Sequence, residues 1–135
     1  MAFLCVVISG PVLAGFSGVI SVIDGDTLDV GGTRVRLHGI DAAETGQTCE
    51  TAQGAEWACG AAVSREVRAR YQGRVAACEA VTMDVYGRVV ALCRVGGRDI
   101  ARDLVHDGLA LAYRKYSRKY VTEETRAARA GRGLH

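Results

Sequence analysis

Two cysteines face each other across a turn that the sequence itself marks. Cys78 stands six residues before Asp84 and Cys93 six residues after Gly87, with "VAACEA" and "VVALCRV" flanking the turn "DVYG". In an antiparallel hairpin of that register the two Cβ atoms are directly opposed, about 4.5 to 5.5 Å apart, within reach of a bridge. Of the five cysteines, Cys5 lies in the leading apolar stretch, so Cys49 and Cys59 pair by default and close the loop "CETAQGAEWAC". Cys49–Cys59 and Cys78–Cys93 are the expected disulfides. A zinc site is the alternative, but neither a Cys-x-x-Cys nor a neighbouring His-x-x-x-His spacing occurs.

The leading segment bears on the same question. Ala2 to Ile8 is apolar, and Val12, Leu13 and Ala14 are placed as an export cleavage site would have them, although no Lys or Arg precedes the run. Residues 1–17 read as a signal peptide and 18–135 as the mature domain; "FLCVVIS" as an extra first strand is the competing reading. The run breaks at Ser9, Gly10 and Pro11, short of the roughly 20 apolar residues that span a bilayer, so no membrane anchor is expected after processing. Removing Cys5 with the leader leaves four cysteines, the even number that disulfides in an oxidising compartment require. A secreted or periplasmic protein is expected.

The remaining chain suits one domain. "GVISVID" and "TLDV" alternate apolar and polar residues, Gly31-Gly32 supplies the positive φ angles of a tight turn, and "TRVRLHGI" runs back. A helix is expected over 56–71, with Trp57 as a core anchor beside Ala61, Val63 and Val67. "GRVAACEAV" and "GRVVALCRV" are two more strands. "RDIARDLVHDGLA" is helical with Ile100, Leu104 and Val105 inward, and a last helix covers 121–130. Five strands in meander order with interspersed helices predict an α+β fold, a five-stranded OB-type β-barrel with about three helices.

The formal charge is only +2, but Arg114, Lys115, Arg118, Lys119, Arg126, Arg129 and Arg132 crowd the last quarter against Glu123 and Glu124. That end should attract polyanions, unless it is merely a solvated helix face. The stretch "RLHGIDAAET" places Arg36 before a short apolar run and Asp41 and Glu44 after it. In an antiparallel meander Asp26, at the start of its strand, comes near Asp41 and Glu44, so three carboxylates converge. Such crowding is unfavourable unless a cation compensates, and all-oxygen ligands suit a hard ion such as calcium. Arg36 and Arg88 complement this with forked donors for a phosphate.

"VIDGDT", "RVRLHGIDAAET", "DVYGR", "LVHDGLALAY" and "GRGL", in this order from Val22 to the carboxyl end, resemble the successive signatures of the thermonuclease, or staphylococcal-nuclease-like, family. The resemblance implies a calcium-dependent nuclease acting as a monomer on DNA and RNA and leaving 3′-phosphate ends. It also implies metal ligation by Asp26, Asp41 and the main-chain carbonyl of Ala42, catalysis by Arg36, Glu44 and Arg88, and substrate contacts from Tyr86 and Tyr116. A catalytically inactive nucleic-acid-binding module of the same fold is the alternative, and an OB-type binder of saccharide or protein a third. The chain departs from the family at Ala43, where many members have Pro, and at Val85, which replaces an often basic residue. His135 stands where Trp is frequent. His38, His106 and His135 form no cluster, and His38 reads as a strand-face residue.

Overall fold

The computed structural model describes residues 15–135. Their elements in chain order are β1 (Gly15–Asp24), β2 (Thr27–Val30), β3 (Thr33–Leu37), β4 (Ile40–Asp41), β5 (Cys49–Glu50), β6 (Glu56–Trp57), α1 (Cys59–Tyr71), β7 (Val75–Met83), β8 (Val89–Val95), β9 (Arg98–Asp99), α2 (Ile100–His106), β10 (Leu111–Ala112) and α3 (Val121–Arg129). β1 to β3 form the expected meander, and Gly31 and Gly32 carry its turn at φ 56° and 90°. The order then departs from a meander. β7 returns to pair with β1, and β8 pairs with β7 on one side and runs parallel to β3 on the other. The parallel seam closes a five-stranded barrel, with β9 appended to the end of β8.

Alternation supplies the core. Ile20 and Val22 point inward from β1 while Val19, Ser21 and Ile23 face solvent; Ala76 and Cys78 on β7 and Ala91, Cys93 and Val95 on β8 do likewise. α1 lays Val63, Val67 and Tyr71 against this interior, and α2 adds the expected Ile100, Leu104 and Val105. Tyr120, just before α3, is buried, and its hydroxyl donates to Asp99 Oδ2 at 2.6 Å. Burial and the Asp99 carboxylate hold that phenol far above its ordinary pKa, so it stays a neutral donor.

Several expectations shift. β1 begins at Gly15, before the expected domain start at 18, because Gly15, Phe16 and Ser17 pair with Glu79, Cys78 and Ala77 and Phe16 packs on the core. Residues 1–14 of the expected leader 1–17, and with them Cys5 and "FLCVVIS", lie outside the described residues. The helix expected from 56 starts at Cys59, since Glu56 and Trp57 pair with Glu50 and Cys49 in a two-residue ladder. Trp57 is therefore no core anchor: it is 39% exposed on that ladder, outside the barrel. α2 is shorter than expected because Arg98 and Asp99 extend the sheet and Gly108, at φ 73°, reverses the chain after His106. His38 sits in the turn after β3 and not on a strand face, its N–H bonded to the Ala91 carbonyl. Among the described residues no helix is long and apolar enough to cross a membrane.

Both expected disulfides are present. Cys78 and Cys93 are directly opposed on β7 and β8, and Cys49 is joined to Cys59 at the start of α1. Reduction of both is expected to lower unfolding free energy by about 2 to 4 kcal/mol for each bridge, as typical native cross-links do. Urea unfolding with and without reductant measures this, and non-reducing peptide mapping checks the pairing.

Candidate active site

The β1–β2 turn and the end of β3 meet because Thr27 is the cross-strand partner of Arg36 and the Leu37 N–H bonds to the Asp26 carbonyl. This register sets Arg36 between two carboxylates. Its Nη2 lies 3.5 Å from Asp26 Oδ2 and 3.5 Å from Asp41 Oδ1. Its Nη1 donates to the carbonyls of Ile40 at 2.8 Å and Leu37 at 3.1 Å, which folds the guanidinium over the β3–β4 turn. Asp26 Oδ2 also accepts from the Ala42 N–H at 3.0 Å, and β10 pairs with β4 to hold Asp41 from the other side.

Arg88 approaches from the β7–β8 hairpin. Asp84 positions it, accepting from its Nε at 2.6 Å and its backbone N–H at 2.9 Å. Against a desolvation effect, those bonds and the Tyr86 N–H hold the Asp84 carboxyl below its ordinary pKa. Nη1 of Arg88 then reaches Thr27 Oγ1 at 3.4 Å, and that hydroxyl donates to Asp26 Oδ1 at 3.0 Å. Tyr86 is 81% exposed with its ring centre 5.5 Å from the Arg88 guanidinium carbon. Tyr116 is also exposed, edge-on to Tyr113, and is linked towards the site by the β10–β4 ladder and the Tyr113 N–H bond to the Gly39 carbonyl.

The convergence of three carboxylates is seen only in part. Asp26 and Asp41 share Arg36, but Glu44 is exposed on the following loop, and among the described residues no three His, Cys, Asp or Glu side chains gather as a metal-binding set. The reason is a second network. Asp24 Oδ1 accepts from the Thr45 N–H and hydroxyl at 3.0 and 2.6 Å and from Ser64 Oγ at 3.3 Å, tying the loop to α1. The Glu44 carbonyl accepts from the Gln47 N–H, and Gly60 N–H donates to the Gln47 carbonyl. Nothing in the sequence marks Asp24, Thr45 and Ser64 as a network, Asp24-Gly25 being an ordinary turn signal. The trace the sequence does carry is Ser64, a polar residue in register with Val63, Val67 and Tyr71 on the stripe of α1 that is buried.

Gly60 sets how close this loop can come. A Cβ there would collide with the Glu44 carbonyl oxygen, a backbone atom that cannot swing aside. Alanine inside a helix is otherwise worth about 0.5 to 1 kcal/mol over glycine, so the contact decides the sign. Gly60→Ala is expected to displace Glu44 and slow any reaction it serves by roughly tenfold to hundredfold, as misplacements near 1 Å do. Parallel rate and melting measurements check this; an unaltered rate would show that the helix contact does not place Glu44.

The donor set fits a hard divalent cation. Partial burial first and the neighbouring Asp26 charge second raise the Asp41 pKa, with Arg36 opposing them, and the second of these is like-charge crowding that a cation relieves. Two carboxylates leave most of the six to eight oxygens of a calcium shell to backbone, water and substrate.

The fold is a five-stranded OB-type barrel whose rim carries two arginines around paired carboxylates, and forked guanidinium donors of this kind suit phosphate or carboxylate oxygens. The model for staphylococcal nuclease homologues matches residues 34–134, and the chain belongs to that family. It is also 40% identical over 96 residues to the "Succinoglycan biosynthesis protein ExoI" of Rhizobium meliloti (strain 1021), a match covering 70% of this chain. The chain spans about half the length of that relative, 50% of it being covered.

Proposed function

We propose that this protein is an exported, calcium-dependent nuclease that hydrolyses phosphodiester bonds of DNA and RNA and leaves 3′-phosphate ends. The observation that carries the reading is the continuous path from Arg88 through Thr27 and Asp26 to Arg36 and Asp41, two forked cations on either side of one carboxylate.

Asp26, Asp41 and the Ala42 carbonyl would hold calcium. When bound, the ion supplies positive charge against the negative charge that grows on the phosphoryl oxygens. Arg36 and Arg88 donate to the same oxygens as phosphorus becomes five-coordinate, their planar forks matching the oxygens in pairs. Glu44 orients a water and accepts its proton while the water oxygen bonds to phosphorus. The bond from phosphorus to the 5′ oxygen breaks, that oxygen takes up a proton from solvent water, and the phosphate stays on the 3′ side. Tyr86 and Tyr116 offer exposed rings beside the bound nucleotides. The two disulfides support a secreted or periplasmic setting.

Cleavage of single- and double-stranded DNA and RNA should be followed with calcium and with a chelator, disulfides intact. Calcium-dependent products ending in 3′-phosphate are expected. Binding without cleavage in calcium would replace this reading with a nucleic-acid-binding module.

A further inference from the structure

The loop that carries Glu44 is held at three points. Thr45 bonds through its N–H and its hydroxyl to Asp24 Oδ1, at 3.0 and 2.6 Å. The Gln47 carbonyl accepts from the Gly60 N–H at 3.1 Å, and the Gln47 N–H holds the Glu44 carbonyl at 2.8 Å. The third point is covalent, the bridge from Cys49 to Cys59, the first residue of α1. No residue from 44 to 58 belongs to the hydrophobic core, and all of them but Cys49 are exposed. Hydrogen bonds in such a segment open locally at little cost. The bridge is the durable tie, and it joins α1 next to Gly60, against which the Glu44 carbonyl rests.

The two disulfides differ in what they hold and in how they are reached. Cys78 and Cys93 are buried in strands whose ladder continues on both sides, so those strands stay paired without their bridge. Cys49 is half-buried on an exposed loop, where a thiolate can approach it. Cys59 is buried at the start of a 13-residue helix that has no side-chain cap and no acid in its first turn. Such a helix end stabilises negative charge on sulfur, which makes Cys59 a ready leaving group.

We propose that the Cys49–Cys59 bridge is a redox control on the position of Glu44, opened by dithiols. Its effect on rate rests on the nuclease reading, in which Glu44 serves the attacking water. One thiolate of the dithiol bonds to Cys49 Sγ while the protein's S–S bond breaks and its electron pair stays on Cys59 Sγ. The second thiolate then closes the reductant's own disulfide and releases Cys49. Two electrons enter, and the dithiol's two protons leave both cysteines as thiols. With the tie open the loop can lift from α1 and Glu44 loses its place. Asp26, Arg36, Asp41 and Arg88 keep theirs, because the barrel register and Asp84 set them. Substrate is still bound but is cut slowly. A chain in a compartment kept reducing by dithiols is idle, and it becomes active where the bridge forms.

Alkylation and peptide mapping first establish the dithiothreitol concentration that opens Cys49–Cys59 and leaves Cys78–Cys93 closed. On the folded full chain in calcium, opening is expected to lower kcat about tenfold to hundredfold, the cost of a misplacement near 1 Å, with KM little changed and the rate recovered on reoxidation. Cys49→Ala with Cys59→Ala should show the same loss and no response to dithiol. Cys78→Ala with Cys93→Ala should keep the full response. In Glu44→Gln, opening the bridge should cost no further rate, which a general loosening of the fold would not reproduce. Amide exchange reads the tie without any cleavage: Thr45, Gln47 and Gly60 should exchange faster once it opens, while Val35 and Ala91 in the barrel stay protected. If the oxidised protein cuts nothing in calcium, the nuclease reading fails, and exchange at those three amides still decides whether the bridge holds the loop. Earlier opening of Cys78–Cys93, an unchanged kcat with Cys49–Cys59 open, an equal further loss in Glu44→Gln, or unchanged exchange at Thr45, Gln47 and Gly60 would overturn the proposal.

Discussion

Arg36→Ala is expected to lower stability by about 3 kcal/mol in chelator and to reduce hydrolysis below detection. The stability figure is the low end for breaking a buried pair, about 3 to 5 kcal/mol, because the carboxylate contacts at 3.5 Å are long. The Arg36 side chain is only 14% exposed, as is that of Asp26, so Asp26 would be left charged and enclosed without its cation. Asp41, 59% exposed, contributes little to this loss because water screens it. The carbonyls of Leu37 and Ile40 lose a charged donor as well. Arg36→Lys should retain part of the stability but not the rate, since an ammonium cannot span two carbonyls and two carboxylates as the planar fork does. Calcium should restore much of the stability lost in Arg36→Ala, because the ion then offsets the same two carboxylates. Urea unfolding with calcium and with chelator measures both effects. A loss below about 1 kcal/mol in chelator would show that Arg36 is not the compensating cation.

How far the sequence foretold this arrangement depends on how local each determinant is. Alternation in "GVISVID" and the Gly31-Gly32 turn are local and appear as expected, and Cys78 does oppose Cys93, although beside "DVYG" the register is offset by one residue and only an irregularity between Ala80 and Thr82 brings the two cysteines into line. The approach of Asp26 to Asp41 was legible for the same reason, since the β2–β3 register brings the two ends together, whereas Arg36 lying between them was not. What closes the barrel is not local. The parallel β3–β8 pairing joins residues more than fifty positions apart, and no pattern within either strand specifies its partner. Trp57 shows the opposite failure. Its neighbours have helical composition, but the ladder with Cys49 and the nearby Cys49–Cys59 bridge override it.

Glu44 was legible as a residue but not as a place. Its motif marks it, yet its position follows from Asp24, Ser64 and Gly60, which come from the end of β1 and from α1. Asp24 reads as an ordinary turn former until Ser64 is found buried against it. The basic final quarter likewise divides only in three dimensions. Arg114 is bound to Glu124, whose other oxygen caps the Ala112 N–H, so part of that charge fastens α3 to β10. Lys119 lines a separate cavity between α2 and α3.

Glu44→Gln separates an enzyme from a binding module. The substitution keeps size and polarity and removes only the negative charge, at an exposed position where neither the core nor an ion pair depends on it. The Glu44 backbone bonds to Gln47 that set the loop remain, so stability should change little. Binding of an oligonucleotide in calcium should be equal or slightly tighter, because a carboxylate beside a phosphate repels it. Hydrolysis requires more, since an amide can orient water but cannot take its proton. Removing a positioned acid or base group typically slows reaction by about a hundredfold to ten-thousandfold, and a loss of at least about tenfold is expected here. Asp41→Asn should behave differently, weakening calcium binding and raising the calcium needed for cleavage. Single-turnover cleavage and binding on one preparation, with calcium varied, resolves the two variants. Equal cleavage by Glu44→Gln and the unmodified protein would remove Glu44 from the reaction and leave the proton to water or to the substrate phosphate.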